Sequence, residues 1–144
     1  MDFDIEDFLP YLLNRAAESS SMSFQQIYKT GYGMLRTEWR VLFHLSYYHE
    51  MTASMICQMA DLHKTKVSRA VSALEAKRYI TRILQDDDRR FARLSLTDKG
   101  KAVYDDLSIQ AARFHNELMR DFTADEQRIF IDCLRRLRGK KGLF

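Results

Sequence analysis

The chain's most suggestive chemistry lies between Lys64 and Lys77. At about 100° per residue, Val67, Ala70, Val71 and Leu74 fall on one side of a helix and must face a core. The opposite side carries Thr65, Ser68, Arg69, Ser72 and Ala76, with Lys64 and Lys66 on its flanks. A solvated helix face usually mixes Glu with Lys. This one is built from small hydroxyls around a central Arg, so another surface can come close to it. Such a face suits the floor of a DNA major groove, where hydroxyls and Arg meet base edges and flanking Lys meet phosphates.

Other reactive residue types are present without the spacing their chemistry needs. Asp86-Asp87-Asp88 lacks the spaced oxygen ligands of a calcium loop. Four histidines (His44, His49, His63, His115) form no ligand motif. Cys57 and Cys133 match neither a disulfide framework nor a metal knuckle and read as small buried side chains. There is no nucleophile elbow, glycine-rich phosphate loop or His-Glu metal helix, so the sequence predicts no enzyme, no cofactor and no metal.

Charge places the same region apart. The net +3 is uninformative in bulk, but residues 63–101 hold eleven Lys and Arg against five Asp and Glu, and the rest of the chain is net acidic. A basic middle between acidic flanks is the footprint of a polyanion partner. The length of 144 residues implies one domain, and 46% hydrophobic residues exclude a disordered chain. No apolar run is long enough to span a membrane, and the acidic start Met1-Asp2-Phe3-Asp4 is unlike a signal peptide, so a cytoplasmic protein is expected.

Five Gly and one Pro predict long helices with little punctuation. Apolar residues from Ile5 to Tyr28 have mostly helical spacing, with Pro10 tolerated near the start and the serines at 19, 20, 21 and 23 on a solvated face or at a weak point. Gly31-Tyr32-Gly33 should break this helix. Thr37 is expected to cap a second helix ending near Tyr48-His49, and Thr52 a third, Ala53 to about Ala60, with Asp61-Leu62-His63 a tight turn into the fourth. Two short strands follow, Tyr79 to Gln85 and Phe91 to Leu96. The second alternates as a half-buried strand should, and the register of the first is open. Thr97 should cap a helix to about Phe122, with Val103, Leu107, Ala111, Phe114 and Leu118 on a stripe. Thr123-Ala124-Asp125-Glu126 is a capping box for a last helix, with Ile129, Phe130, Cys133, Leu134 and Leu137 on one side.

The predicted fold class is thus mainly α with a small β-wing. A winged helix-turn-helix lobe spans residues 35–97 of a single 1–144 domain, and dimerisation helices span 1–34 and 98–144. In this plan the fourth helix enters the major groove and the ribbon tip reaches a neighbouring backbone or minor groove. The outer helices carry more apolar stripe than one copy can cover. A homodimer would cover it and set two recognition helices about 34–36 Å apart, against a two-fold symmetric site.

In this order the residues resemble the MarR-type transcriptional regulators. The match runs through Thr37-Glu38-Trp39-Arg40-Val41-Leu42, Lys66-Val67-Ser68-Arg69, Leu74-Glu75-Ala76-Lys77 and Tyr79-Ile80-Thr81-Arg82. It is sharpest at Asp88-Arg89-Arg90 followed by Leu94-Ser95-Leu96-Thr97-Asp98-Lys99-Gly100. The resemblance implies double-stranded DNA as partner. It puts readout on Thr65, Lys66, Ser68, Arg69 and Ser72, beside Lys64 and the ribbon's Arg82, with Arg89 or Arg90 at the wing tip and Asp88 orienting a neighbouring Arg. The chain departs from the family pattern at Arg78 and Asp61, where Gly is usual, so the end of the fourth helix could differ or Arg78 could add a phosphate contact.

The resemblance further implies a repressor released by a small-molecule effector seated between the dimer helices and the DNA-binding lobe. Tyr32, Met34 and Trp39 could line that pocket, with Arg15 as a carboxylate partner and His115 as another polar group, which points to an aromatic acid. The same residues are equally consistent with plain core (Trp39, Met34) and a solvated or interface arginine (Arg15). The competing reading is a winged-helix protein-interaction module that binds no DNA.

Overall fold

The computed structural model describes residues 2–84, 92–140 and 142. The chain divides into two units, residues 1–110 and 111–144.

In the first unit a 3-10 turn, Ile5–Asp7, precedes helix α1, Leu9–Tyr32, with Pro10 in the first turn, where a missing N–H costs nothing. The helix is continuous through the serines and through Gly31. It ends only at Gly33, whose φ of 63° is left-handed and whose N–H donates to the Lys29 carbonyl at 2.9 Å. The break thus falls at the last residue of the expected Gly31-Tyr32-Gly33 stop: an interior glycine weakens a helix by only about 1 kcal/mol, and Phe24 and Tyr28 anchor this one in the core.

Helix α2, Arg36–Tyr48, also starts before its expected cap. Leu35, not Thr37, is the N-cap, and the Glu38 carboxylate accepts the Leu35 N–H at 3.1 Å. Helix α3, Ala53–Ala60, begins as predicted, with Thr52 Oγ1 accepting the Met55 N–H at 3.2 Å, and it ends on Asp61 in the left-handed region. Arg40 donates to the Ala60 carbonyl, giving the last turn of α3 a partner from α2.

Helix α4, Lys64–Ala76, is capped by His63, whose Nδ1 accepts the Thr65 N–H at 3.2 Å. Its end keeps the left-handed geometry although glycine is absent. Arg78 has φ 63°, and the Arg78 and Tyr79 N–H groups donate back to Glu75 and Leu74 carbonyls. Strands β1, Ile80–Ile83, and β2, Arg93–Leu96, pair antiparallel with Ile80 opposite Leu96 and Ile83 opposite Arg93. The sequence reading missed the edge partner of β2: Met51 and Leu94 exchange both backbone hydrogen bonds. Val41, Leu42, Leu45, Met51, Ile56, Val67, Val71, Leu74, Leu94 and Leu107 form the core beneath these elements.

Thr97 ties the wing to helix α5, Asp98–Leu118. Its hydroxyl donates to the Arg78 carbonyl at 2.6 Å and accepts the Gly100 N–H at 3.0 Å. A Cβ on Gly100 would lie 2.0 Å from the Tyr79 carbonyl oxygen. Only glycine permits this approach, which gives the Leu-Thr-x-x-Gly spacing its physical reason.

In the second unit, α5 ends at Leu118, four residues earlier than expected, and residues 119–122 turn back. Gln127 Nε2 holds that turn by donating to the Met119 and Phe122 carbonyls at 2.9 and 3.0 Å. Helix α6, Ala124–Arg138, opens on the predicted capping box. The Thr123 hydroxyl accepts the Glu126 N–H, and the Glu126 carboxylate accepts the Thr123 N–H, which holds its pKa below the usual carboxylate value. No α6 residue is buried: on its apolar side Ile129 is 56% exposed, Phe130 stacks on Phe122, and Leu134 and Leu137 are half-buried.

Two expectations of burial are corrected. Cys133, on that apolar side, is exposed, and Cys57 is only half-buried. Along the α5 stripe Val103 and Leu107 are buried, whereas Ala111 and Phe114 are half-buried and Leu118 is exposed.

Candidate nucleic-acid interface

The outward face of α4 is assembled by the burial of its inward one. Val67, Ala70, Val71 and Leu74 are at most 4% exposed. At 3.6 residues per turn this leaves Lys64, Thr65, Lys66, Ser68, Arg69 and Ser72 in solvent, as the structure places them all. Burying those four side chains orients the face, at roughly 1.5–3 kcal/mol for each of the larger ones.

Its electrostatics are one-sided. Among the described residues no carboxylate pairs with Lys64, Lys66 or Arg69, so all three cations are available to an incoming anion. Thr65, Ser68 and Ser72 offer hydroxyls along about 10 Å of helix.

Elsewhere the predicted residues are dispersed. Arg82 is held against α4 by Glu75, with Nη2 2.8 Å and Nε 2.9 Å from Oε1. Asp88, Arg89 and Arg90 lie outside the described residues. Arg93, opposite Ile83 in the ribbon, is a half-exposed cation that the sequence reading did not single out. The alternation of β2, which turns Leu94 and Leu96 inward, is the signal that would have found it.

The five residues named for an effector do not share one set of partners. Arg15 stacks over the Tyr11 ring, 5.7 Å to its centroid, and donates to the Tyr11 hydroxyl. Met34 is fully buried. Trp39 sits within an aromatic cluster, with Phe24, Tyr28, Phe43 and Tyr104 at 5.4–6.2 Å between ring centroids. Tyr32 donates to Asp106 Oδ2 at 2.5 Å, and Gln110 donates to the same oxygen at 2.9 Å. The hydrogen bond to that carboxylate pushes the phenol's pKa up to about 12. These groups line a shallow depression of about 490 Å³ with Gln26, Ile27 and Thr30. His115 belongs to the second unit, where its carbonyl accepts the Met119 N–H. Among the described residues no cluster of His, Cys, Asp or Glu could hold a metal ion, and no helix is long and apolar enough to cross a membrane.

Residues 32–90 match the family model described as MarR family. The HTH-type transcriptional regulator YwaE of Bacillus subtilis is 24% identical over 125 residues, covering 87% of this chain and 73% of its own length. The crystal structure of a MarR/EmrR family transcriptional regulator from Acinetobacter sp. ADP1 superposes with a TM-score of 0.84 at 27% identity. That superposition covers 94% of this chain and 96% of the neighbour. The fold is shared equally by Bordetella bronchiseptica BpsR, with TM-score 0.85, 17% identity and coverage of 98% and 100%. The DNA binding of BpsR is described as regulated by 6-hydroxynicotinic acid.

Proposed function

We propose that the chain is a MarR-type winged helix-turn-helix transcriptional regulator, as the family match over residues 32–90 and the shared fold support, and that it is a homodimeric repressor that a small molecule releases from a pseudo-palindromic operator. The observation that carries the DNA-reading part is the α4 face, with three exposed cations that no carboxylate pairs among the described residues, three exposed hydroxyls, and no acidic side chain among them. A winged-helix module that binds only protein has no need of that composition. In this reading Thr65, Ser68, Arg69 and Ser72 read bases, Lys64 and Lys66 hold phosphates, and Arg82, Asp88, Arg89 and Arg90 form the wing's contact. The DNA-binding lobe is residues 35–97, and the regulator acts in the cytoplasm.

Dimerisation is supported by Ile129 and Phe130 on the apolar side of α6 and by Phe3, Ile5, Phe8, Leu9 and Leu12 near the amino terminus, all exposed in the single chain. Residues 1–34 and 98–144 supply these surfaces, and a second copy of the same chain is the symmetric way to bury them. Effector release is supported more thinly, by the fold shared with BpsR and by the aromatic cluster around Trp39. Arg15 supplies a cation for an aromatic acid. Such a ligand acts only if it binds better to a dimer whose recognition helices are wrongly spaced for the operator.

Selection of bound sequences from random duplex DNA tests the reading, with an inverted repeat as the expected winner. Arg69→Ala should relax preference at particular bases, and Arg90→Ala should weaken all sequences and lower the magnitude of the salt slope by about one phosphate contact. Binding by both variants identical to the parent's would remove the groove assignment.

A further inference from the structure

Glu38 is the one charged side chain buried among the described residues, at 4% exposure, and its partners join three helix ends. One carboxylate oxygen accepts the Leu35 N–H at the start of α2, at 3.1 Å. The other accepts from Lys77 Nζ at 2.9 Å. The same ammonium donates to the Gly33 carbonyl at 2.8 Å, and Gly33 is the C-cap of α1. Lys77 is itself the C-cap of α4. Each charge also suits its helix dipole, the carboxylate in the first turn of α2 and the ammonium at the carbonyl end of α1.

The apolar packing of α4 on α2 is non-directional and permits small rotations and slides of the recognition helix. A charge-assisted hydrogen bond to the buried Glu38 carboxylate does not, because both its distance and its angle matter. The backbone of Lys77 is held by the turn through Arg78, so its side chain transmits the position of α4 rather than absorbing it.

We propose that Lys77 is a positioning residue for DNA reading. With Glu38 and the Gly33 carbonyl, it locks the pitch of α4 to the α1–α2 junction, so that Thr65, Ser68, Arg69 and Ser72 meet the groove in a single register, and it does so without touching DNA. The inference rests on the DNA-reading assignment made above.

The test compares the full-length parent with K77M and E38Q/K77M. It measures affinity for a selected operator duplex and for a scrambled duplex of equal length, across a range of salt concentrations, together with thermal melting. The double variant leaves no buried charge, while its amide oxygen still accepts from Leu35. In K77M the ratio of operator to scrambled affinity should fall about ten-fold, with the salt slope unchanged. E38Q/K77M should melt closer to the parent and keep the reduced ratio. A double variant with the parent's ratio shows a tie that only stabilises, and overturns the proposal. So does a slope smaller in magnitude by about 0.9, the mark of a lost phosphate contact. A parent that does not distinguish the two duplexes fails the DNA-reading assignment itself. That result is separable from a discriminating parent whose variants discriminate as well.

Discussion

Helices α4 and α6 are both amphipathic, and the chain uses them in opposite ways. In α4 the apolar stripe is buried to within 4% and the polar face stands bare. In α6 no residue is buried, and the apolar side, with Ile129 at 56% and Phe130 at 44% exposure, is the one left bare. Both helices present an unsatisfied surface, but of different chemistry. The α4 cations, which no carboxylate pairs among the described residues, and the hydroxyls beside them suit an anion with donors and acceptors at its edges, whereas exposed Ile129 and Phe130 suit more hydrocarbon. In the proposed function, the difference separates DNA reading from self-association within one short chain.

The contrast can be broken most decisively at α6. Ile129→Asp places a charge where a second copy would have to desolvate it. Self-association should weaken by at least 100-fold, on the order of 3 kcal/mol or more, and sedimentation should show the 17.0 kDa single chain. A parent that already sediments as that monomer would sink the assembly role of α6. The matching core test is Leu74→Ala in α4. It should cost about 2–5 kcal/mol in chemical denaturation, because Leu74 is fully buried, whereas Ile129→Ala in a monomeric background should cost far less.

Arg69→Ala should reduce operator affinity by about 1–3 kcal/mol and relax base preference, with little change in melting temperature, since Arg69 is exposed. An equal loss on scrambled duplex would make Arg69 a phosphate contact instead. The smallest effect belongs to the α6 cap. Thr123→Ala should destabilise that helix by roughly 1 kcal/mol, read by hydrogen exchange in residues 124–128. Glu126 has its folded pKa lowered by the Thr123 bonds. Its contribution is therefore present above the ordinary carboxylate pKa and lost as pH falls through the lowered value. Protection of these amides, taken relative to their intrinsic exchange rate at each pH, should fall on acidification in the parent and respond less in Thr123→Ala.

The elements that carry short-range signals were legible. Thr52, Thr97 and Thr123 cap the helices expected of them, because a capping hydroxyl and the N–H it accepts lie within three residues. The inward stripe of α4 was legible for the same reason, since its period is local. Misplaced boundaries come from competition between local signals. Thr37 is a good cap, but starting α2 at Arg36 brings Glu38 to the third position, where it accepts the Leu35 N–H and Lys77 can reach it. Within the Gly31-Tyr32-Gly33 stop, the helix ends at Gly33, the residue that adopts the left-handed φ of 63°, and not at Gly31.

Of the candidate site, the α4 face was readable in full and the effector residues were not. Helical periodicity says which residues share a face of one helix. It does not say that Trp39 meets Phe24, Tyr28 and Tyr104 from other elements, or that Tyr32 finds Asp106 across 74 positions. Arg82, named as a DNA contact, is partly engaged by Glu75, a pairing that depends on how the ribbon folds back on α4.

The amino-acid order thus determined on its own the order of the helices, the caps at Thr52, Thr97 and Thr123, the basic middle and the outward face of α4. All of these follow from propensity, charge and periods shorter than two turns. Tertiary structure alone decided that Lys77, Glu38 and Gly33 meet, that Gly100 must lack a Cβ beneath the Tyr79 carbonyl, and that Tyr32 finds Asp106. Each of these depends on the separation of groups distant in sequence, which is set by packing after the local elements have formed.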